Sequence, residues 1–380
     1  MTDSAPDRGH LAPLDGLRGI AAVAVAIRHT TNAIPMPAEL RRQLFESPLA
    51  LVLSSQGAVQ LFFVLSGWVL AASLARSGAR LGEWLPFYVR RVFRIHPAYV
   101  LAVLFAWALS VQPLSSHGAV TPWILRFVNE HPSAPQVLQS LAFPSMGAGL
   151  LPVGWTLTIE MIYSFALPLL VVAAAFGRGL PLLAAGALLL ATPWRVGWYG
   201  FDFALGVVAF RERAALGGAL ARASGAARAA VPFAGALLLA APVAWFAKEE
   251  RLGVLANAND AFEVGVMGVG SVLLVIAAVG APGFARLVGA RPFAFLGRIS
   301  YGIYLIHHTL ITFLAPRILS DSAPLASACG LLAAVTGASI LLAVPGHRFV
   351  ELPMIALGSR LARALERAIA PAARTTENPA

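Results

Sequence analysis

Few ionisable side chains interrupt the apolar stretches of this chain, and those that do recur at helical spacing. A charged or imidazole group held away from water is costly, so each one is a candidate for chemistry. In LDGLRGIAAVAVAIRHT, Arg18 and His29 are eleven residues apart, with Asp15 one turn before Arg18. Eleven residues bring both side chains to within about 20° of one helix face, about 16 Å apart along the axis. A cation at one level and an imidazole deeper along the same stripe suit anion binding and proton transfer. A snorkelling Arg and a headgroup-level His are the bland alternative.

Three further groups share this pattern. In LPFYVRRVFRIHPAYV, Arg90, Arg91 and Arg94 form a basic cluster, with Arg91 and Arg94 on one face. The guanidinium fork matches phosphate oxygens, although a cytoplasmic topology anchor would look the same. In GWTLTIEMIYSFALP, Thr156, Glu160 and Tyr163 make a polar stripe behind Trp155. Glu160 has no basic neighbour at i±4, so its partner must come from another helix, in catalysis or in an inter-helix hydrogen bond. In FLGRISYGIYLIHHTLI, Tyr301, Tyr304 and His308 share one face, while Ser300, Tyr304 and His307 share an overlapping one. No further His or Cys sits at ligand spacing, so no metal is expected. Near the C-terminus, HRFVELP allows Arg348 and Glu351 to pair at i, i+3, which reads as a structural ion pair.

The elements that position these residues must be membrane helices. Of 380 residues, 58% are hydrophobic and only 12% are charged, with a mean hydropathy of +0.75. Soluble domains carry about a quarter charged residues. Apolar runs recur at about 17–36, 53–75, 95–112, 154–176, 180–193, 196–210, 229–247, 262–281, 299–318 and 324–345. Ten spans with both termini in the cytoplasm put 20 of the 28 Lys and Arg residues inside, as the positive-inside rule requires. The net charge of +10 is therefore topological and does not imply nucleic acid. Cys329 alone builds neither a disulfide nor a thiolate site. The expected architecture is an all-α, polytopic membrane domain over 1–355, followed by a basic cytoplasmic tail over 356–380. Arg360, Arg363 and Arg367 of that tail sit at helical spacing suited to an anionic inner leaflet.

Taken together, these groups resemble the acyltransferase-3 family of membrane acyltransferases, from about residue 14 to 353 and in family order. Arg18 and His29 are similar to its Arg, ten residues, His signature. LFFVLSGWVL resembles its Phe-Phe-x-Leu-Ser-Gly stretch, and Arg91, Arg94 and Pro97 its Arg-x-x-Arg-hydrophobic-x-Pro motif. Trp155, Glu160 and Tyr163 match its Trp-Ser-Leu-x-x-Glu-x-x-Phe-Tyr motif, with Thr156 in place of Ser. Ser300, Tyr301, Tyr304 and His307 match Ser-Tyr-x-x-Tyr-Leu-x-His, and RFVELP matches the closing Arg-x-x-Glu-x-Pro. His308 is extra, and Arg28 stands where an apolar or aromatic residue is usual. The esterase-like domain that many bacterial relatives append is not expected.

The resemblance implies an acyl-coenzyme A co-substrate, most often acetyl, and no bound cofactor. It implies a multi-pass protein of the inner membrane that acylates a hydroxyl of a polysaccharide, glycolipid or sugar-bearing metabolite. Arg91 and Arg94, with Arg90, would hold the donor phosphates. Arg18 would flank the pantetheine arm, and His29 would serve as general base or as acyl-accepting nucleophile. Glu160 would orient His29. The segment 113–153, with Trp123 and His131, is the place to look for acceptor contacts. The rival class is a glycan or small-molecule exporter, since intramembrane Arg, His and Glu also suit proton coupling.

Overall fold

The computed structural model describes residues 8–47, 49, 53–77, 82, 84–112, 121–127, 131–142, 149–192, 195–246 and 256–369. Among them every regular element is helical. α1 (Arg8–Ala33) and a short α2 (Ala38–Glu46) precede α3 (Ser55–Ser77) and α4 (Trp84–Ser110). Two short helices, α5 (Pro122–Leu125) and α6 (Ala134–Ala142), lead to α7 (Gly154–Ala174). Then come α8 (Leu180–Leu190), α9 (Arg195–Arg211), α10 (Arg213–Arg222), α11 (Gly225–Phe246) and α12 (Ala256–Gly280). The last elements are α13 (Pro282–Val288), α14 (Arg291–Ile318), α15 (Pro324–Gly346) and α16 (Leu352–Ile369).

Each of the ten apolar segments expected from sequence overlaps a helix among the described residues. Among the described residues, five stretches are long and apolar enough to cross a membrane: Ser55–Ala75, Trp84–Ser110, Gly154–Ala174, Phe262–Gly280 and Pro324–Ile369. The protein is thus an all-α membrane protein. α1 and α14 have 26 and 28 residues, ample length for a crossing, but their Arg and His residues lower their apolarity. Those two helices supply most of the candidate site. α8, with 11 residues, is short for a span. Residues 1–7 and 370–380, on which the placement of both termini depends, lie outside the described residues.

α1 and α14 cross as closely as two backbones can. A side chain on Gly19 would strike the Leu296–Gly297 backbone and one on Gly297 the Asp15 carbonyl, while one on Gly16 would strike the Val288 carbonyl at the end of α13. Small residues at such a crossing let van der Waals packing hold helices together where lipid supplies no hydrophobic drive. The two helices run parallel: residues 15–19 lie level with 296–297, and His29 lies level with His307. α3 and α9 cross in the same way through Gly67 and Gly206. Outward-facing large hydrophobics such as Leu169, Phe176, Leu188 and Leu341 remain exposed, as a lipid-facing surface requires.

α15 joins α16 through a π-helical turn, His347–Glu351. The wider turn brings His347 Nδ1 to 2.9 Å from Glu351 Oε2. The ion pair expected between Arg348 and Glu351 is therefore replaced by a His347–Glu351 contact, and the Arg348 guanidinium lies 5.7 Å from the Phe349 ring centre. An i, i+3 pairing assumes α-helical winding, which the π turn removes. α16 then packs back on α4. Gly358 lies directly against Phe93, and Arg90 Nη1 bonds Glu366 Oε1 at 2.5 Å.

Candidate functional site

A cavity of about 400 Å³ opens among α1, α3, α4, α7, α14 and α16. Its volume lies within the usual range for small-molecule sites. Asp15 and Arg18 enter it from α1, and Arg90, Arg91 and Arg94 from α4. Three guanidiniums have carboxylate partners. Arg18 Nη1 is 3.1 Å from Asp15 Oδ1, Arg91 Nη2 is 2.6 Å from Glu160 Oε1, and Arg90 reaches Glu366. Arg91 is only 7% exposed, and its Nε also donates to Ser164 Oγ at 3.3 Å. Arg94 is exposed in the cavity and makes no ion pair among the described residues. Four guanidiniums thus face two carboxylates in the cavity lining, an excess of positive charge suited to phosphate.

Deeper in, the cavity lining changes to hydroxyls. Ser300, Tyr301 and Tyr304 come from α14 and Thr156 from α7. The Thr156 hydroxyl donates to Val153 O at 3.0 Å, so at 2.9 Å from Tyr304 its oxygen accepts the phenolic proton. Tyr301 donates to Ile95 O at 2.8 Å, and Ser300 donates to Gly297 O at 2.8 Å. From the level of Gly297 to Tyr304 the cavity follows α14 for about 10 Å.

One turn beyond Tyr304 lies a cluster of three imidazoles. His29 Nδ1 is 2.9 Å from His307 Nε2, and their rings stack with centres 5.2 Å apart. His307 Nδ1 faces the carbonyl of Ile303 at 3.2 Å. His29 is half-buried, whereas His307 and His308 are buried. Trp123 lies 5.9 Å from His29 and 5.2 Å from His308, and Phe127 meets His308 edge-on at 4.6 Å. On this side the protein opens again. Asn32, Arg41, Thr121 and Trp123 line an open cavity of about 550 Å³. His308 lines a smaller one of about 80 Å³. The imidazoles therefore stand between an Arg-lined cavity and a separate opening beside Trp123.

Arg18, the Arg cluster, Glu160, Thr156 and the α14 residues Ser300, Tyr301 and Tyr304 meet in one place, from four helices. The pairing of Glu160 with His29 expected from sequence does not occur here; Glu160 holds Arg91, and His29 has His307. Trp155 packs on Tyr199, and Tyr163 donates to Val196 O at 2.9 Å beside Gly200, so both face α9 and not the cavity. His131 is exposed and lines none of these cavities, and 113–120, 128–130 and 143–148 lie outside the described residues. Sequence reasoning missed Ile355 and Ser359 of α16, which line the cavity. Their signal was the strong amphipathicity of the segment after Pro353, which implied a partner for its apolar face. Gln60 and Asp202 are fully buried, with no hydrogen-bond partner among the described residues, and neither touches this site.

A family described as an acyltransferase domain matches residues 11–344. That span includes every catalytic and donor-binding residue expected from sequence. A protein of Rhizobium radiobacter described as protein 2 in the picA locus is 38% identical over 105 residues, 27% of this chain. The chain covers 46% of that relative's length. No solved structure matches.

Proposed function

We propose a membrane O-acyltransfer reaction, starting from one premise: this chain belongs to the acyltransferase-3 family, matched over residues 11–344. The donor is an acyl-coenzyme A carrying a short acyl group, acetyl in the simplest case. The acceptor is a hydroxyl of a sugar, glycan or glycolipid at the inner membrane. The observation that carries this reading is the single cavity that runs from four guanidiniums to the Tyr304–Thr156 pair, one turn short of His307 and His29. A coenzyme A thioester has the same polarity along its length, phosphates at one end and the reactive carbonyl at the other.

In this reading Arg94, which makes no ion pair among the described residues, binds phosphate first, and Arg90, Arg91 and Arg18 complete the positive field. The acceptor hydroxyl approaches from the Trp123 side. His29 takes the hydroxyl proton as the oxygen attacks the thioester carbonyl. The tetrahedral adduct collapses, the C–S bond breaks, and the coenzyme A thiolate recovers the proton from His29. Ester and free thiol leave on opposite sides.

The test is thiol release from acetyl-coenzyme A by purified protein in lipid nanodiscs, with an extract of envelope glycans and lipids as acceptor. His29→Ala is expected to abolish acceptor-dependent release while the protein still inserts. Near-full release by that variant would sink the reading.

A further inference from the structure

The hydrogen bonds around His307 fix which nitrogen of His29 is free to act. A carbonyl oxygen can only accept, so His307 Nδ1, 3.2 Å from Ile303 O, must carry the ring proton. The opposite assignment would set a nitrogen lone pair against the carbonyl lone pairs. In a neutral imidazole one nitrogen is protonated and the other is not, so His307 Nε2 presents a lone pair. That lone pair faces His29 Nδ1 at 2.9 Å, and a bond at this distance requires a proton on His29 Nδ1. His29 Nε2, on the far edge of the ring, is then unprotonated.

We propose that His307 is the positioning residue of the reaction, holding His29 in the Nδ1–H tautomer through the chain His29 Nδ1–H to His307 Nε2 and His307 Nδ1–H to Ile303 O. The inference rests on the general-base reading of His29 given above and names the group that prepares it. A carboxylate usually fills this role for a catalytic imidazole. Here Glu160 is occupied by Arg91, and no carboxylate contacts His29 among the described residues. A neutral imidazole suits the location: it orients the base without placing a permanent charge in the apolar interior, where charge is costly. When His29 takes the acceptor proton on Nε2, its Nδ1–H bond to His307 stays intact and strengthens toward the imidazolium. The proton then passes from Nε2 to the departing thiolate, so His307 neither gains nor loses one. His307 is fully buried and packed against Tyr304, with ring centres 5.7 Å apart, which fixes its ring plane.

The experiment is nitrogen-15 NMR of histidine-labelled protein in nanodiscs, with the His29 and His307 signals assigned by their loss in His29→Ala and His307→Gln. Wild-type protein should show both residues with protonated Nδ1 and unprotonated Nε2. A protonated Nε2 on neutral His29 would overturn the proposal, whatever the variants do. In the thiol-release assay His307→Phe, which fills the space without an acceptor, should lower kcat by about 10²-fold with donor KM unchanged. His307→Gln, whose amide oxygen can occupy the Nε2 position, should recover at least about a tenth of the wild-type rate. Equal activity in the two variants would overturn the role. Full activity of His29→Ala with the wild-type tautomers as expected would instead overturn only the general-base reading, leaving the hydrogen-bond chain in place.

Discussion

Glu160 on α7 accepts a 2.6 Å hydrogen bond from the Arg91 guanidinium on α4, and this places its charge at the wall of the Arg-lined cavity. The pair is mostly shielded from solvent, with the Arg91 side chain 9% exposed and Glu160 24%. Removing one partner of a pair this enclosed leaves the other charge uncompensated, at a cost of about 3–5 kcal/mol. Arg91→Ala and Glu160→Ala should each lower thermal stability in detergent, and the double variant should lose far less than the sum. A coupling of about 1–3 kcal/mol is expected. Additive losses would mean that Glu160 spends its charge elsewhere, and a service to His29 would regain standing.

Arg94 differs from its neighbours because it makes no ion pair among the described residues. Its charge is available to a ligand. Hydrogen bonds to charged groups contribute about 1.5–3 kcal/mol, so Arg94→Ala should raise the donor KM about 10-fold or more. Thermal stability should hardly move, since none of the described residues loses an ion-pair partner. The increase in KM should shrink at high salt, because phosphate contacts are screened. A large drop in melting temperature with an unchanged KM would return Arg94 to the role of a membrane anchor.

α16 forms part of the cavity wall through Ile355 and Ser359, and Gly358 is its point of contact with Phe93. The Arg90–Glu366 pair is about one-third exposed at both ends, so it contributes at most about 1 kcal/mol. Packing at Gly358 therefore dominates the docking of this helix. Gly358→Leu should lift α16 from α4, raise donor KM and speed proteolysis after residue 352, with overall helicity retained. Glu366→Gln should do little. If the two variants behave alike, the ion pair holds the helix and the packing argument fails.

Which residues share a face was legible where a single helix winds regularly. Arg18 and His29 are on one face because α1 is continuous from Arg8 to Ala33, and helical periodicity alone predicts that. The Tyr304–His307 turn was legible for the same reason. Pairings between helices were not. Glu160 pairs with Arg91 and not with His29 because the choice of partner depends on how α4 and α7 pack, which no local spacing encodes. Tyr163 shares its stripe with Glu160 in projection, yet it lies one turn further on and meets α9. Arg348 and Glu351 failed because a π turn changed the winding. Polar residues also blurred the span count: α1 and α14 are long enough to cross, but they are less apolar than α3 because they carry the candidate site.

The final prediction concerns sidedness. Arg18 lines the first cavity and Asn32 lines the opening beside Trp123, both on α1 and fourteen residues apart. That separation is about 21 Å of continuous helix, most of the apolar thickness of a bilayer. The two openings should then face opposite compartments, the Arg-lined one toward cytoplasmic donor. Single cysteines at Ser359 and at Asn32, each in a Cys329→Ser background, can be probed with a membrane-impermeant thiol reagent in sealed vesicles of known orientation. Ser359→Cys should label only from the cytoplasmic face, and acetyl-coenzyme A should protect it. Asn32→Cys should label only from the outer face, with no protection by the donor. If both cysteines label from the cytoplasmic side, acceptor and donor share one compartment, and acyl transfer across the membrane is excluded.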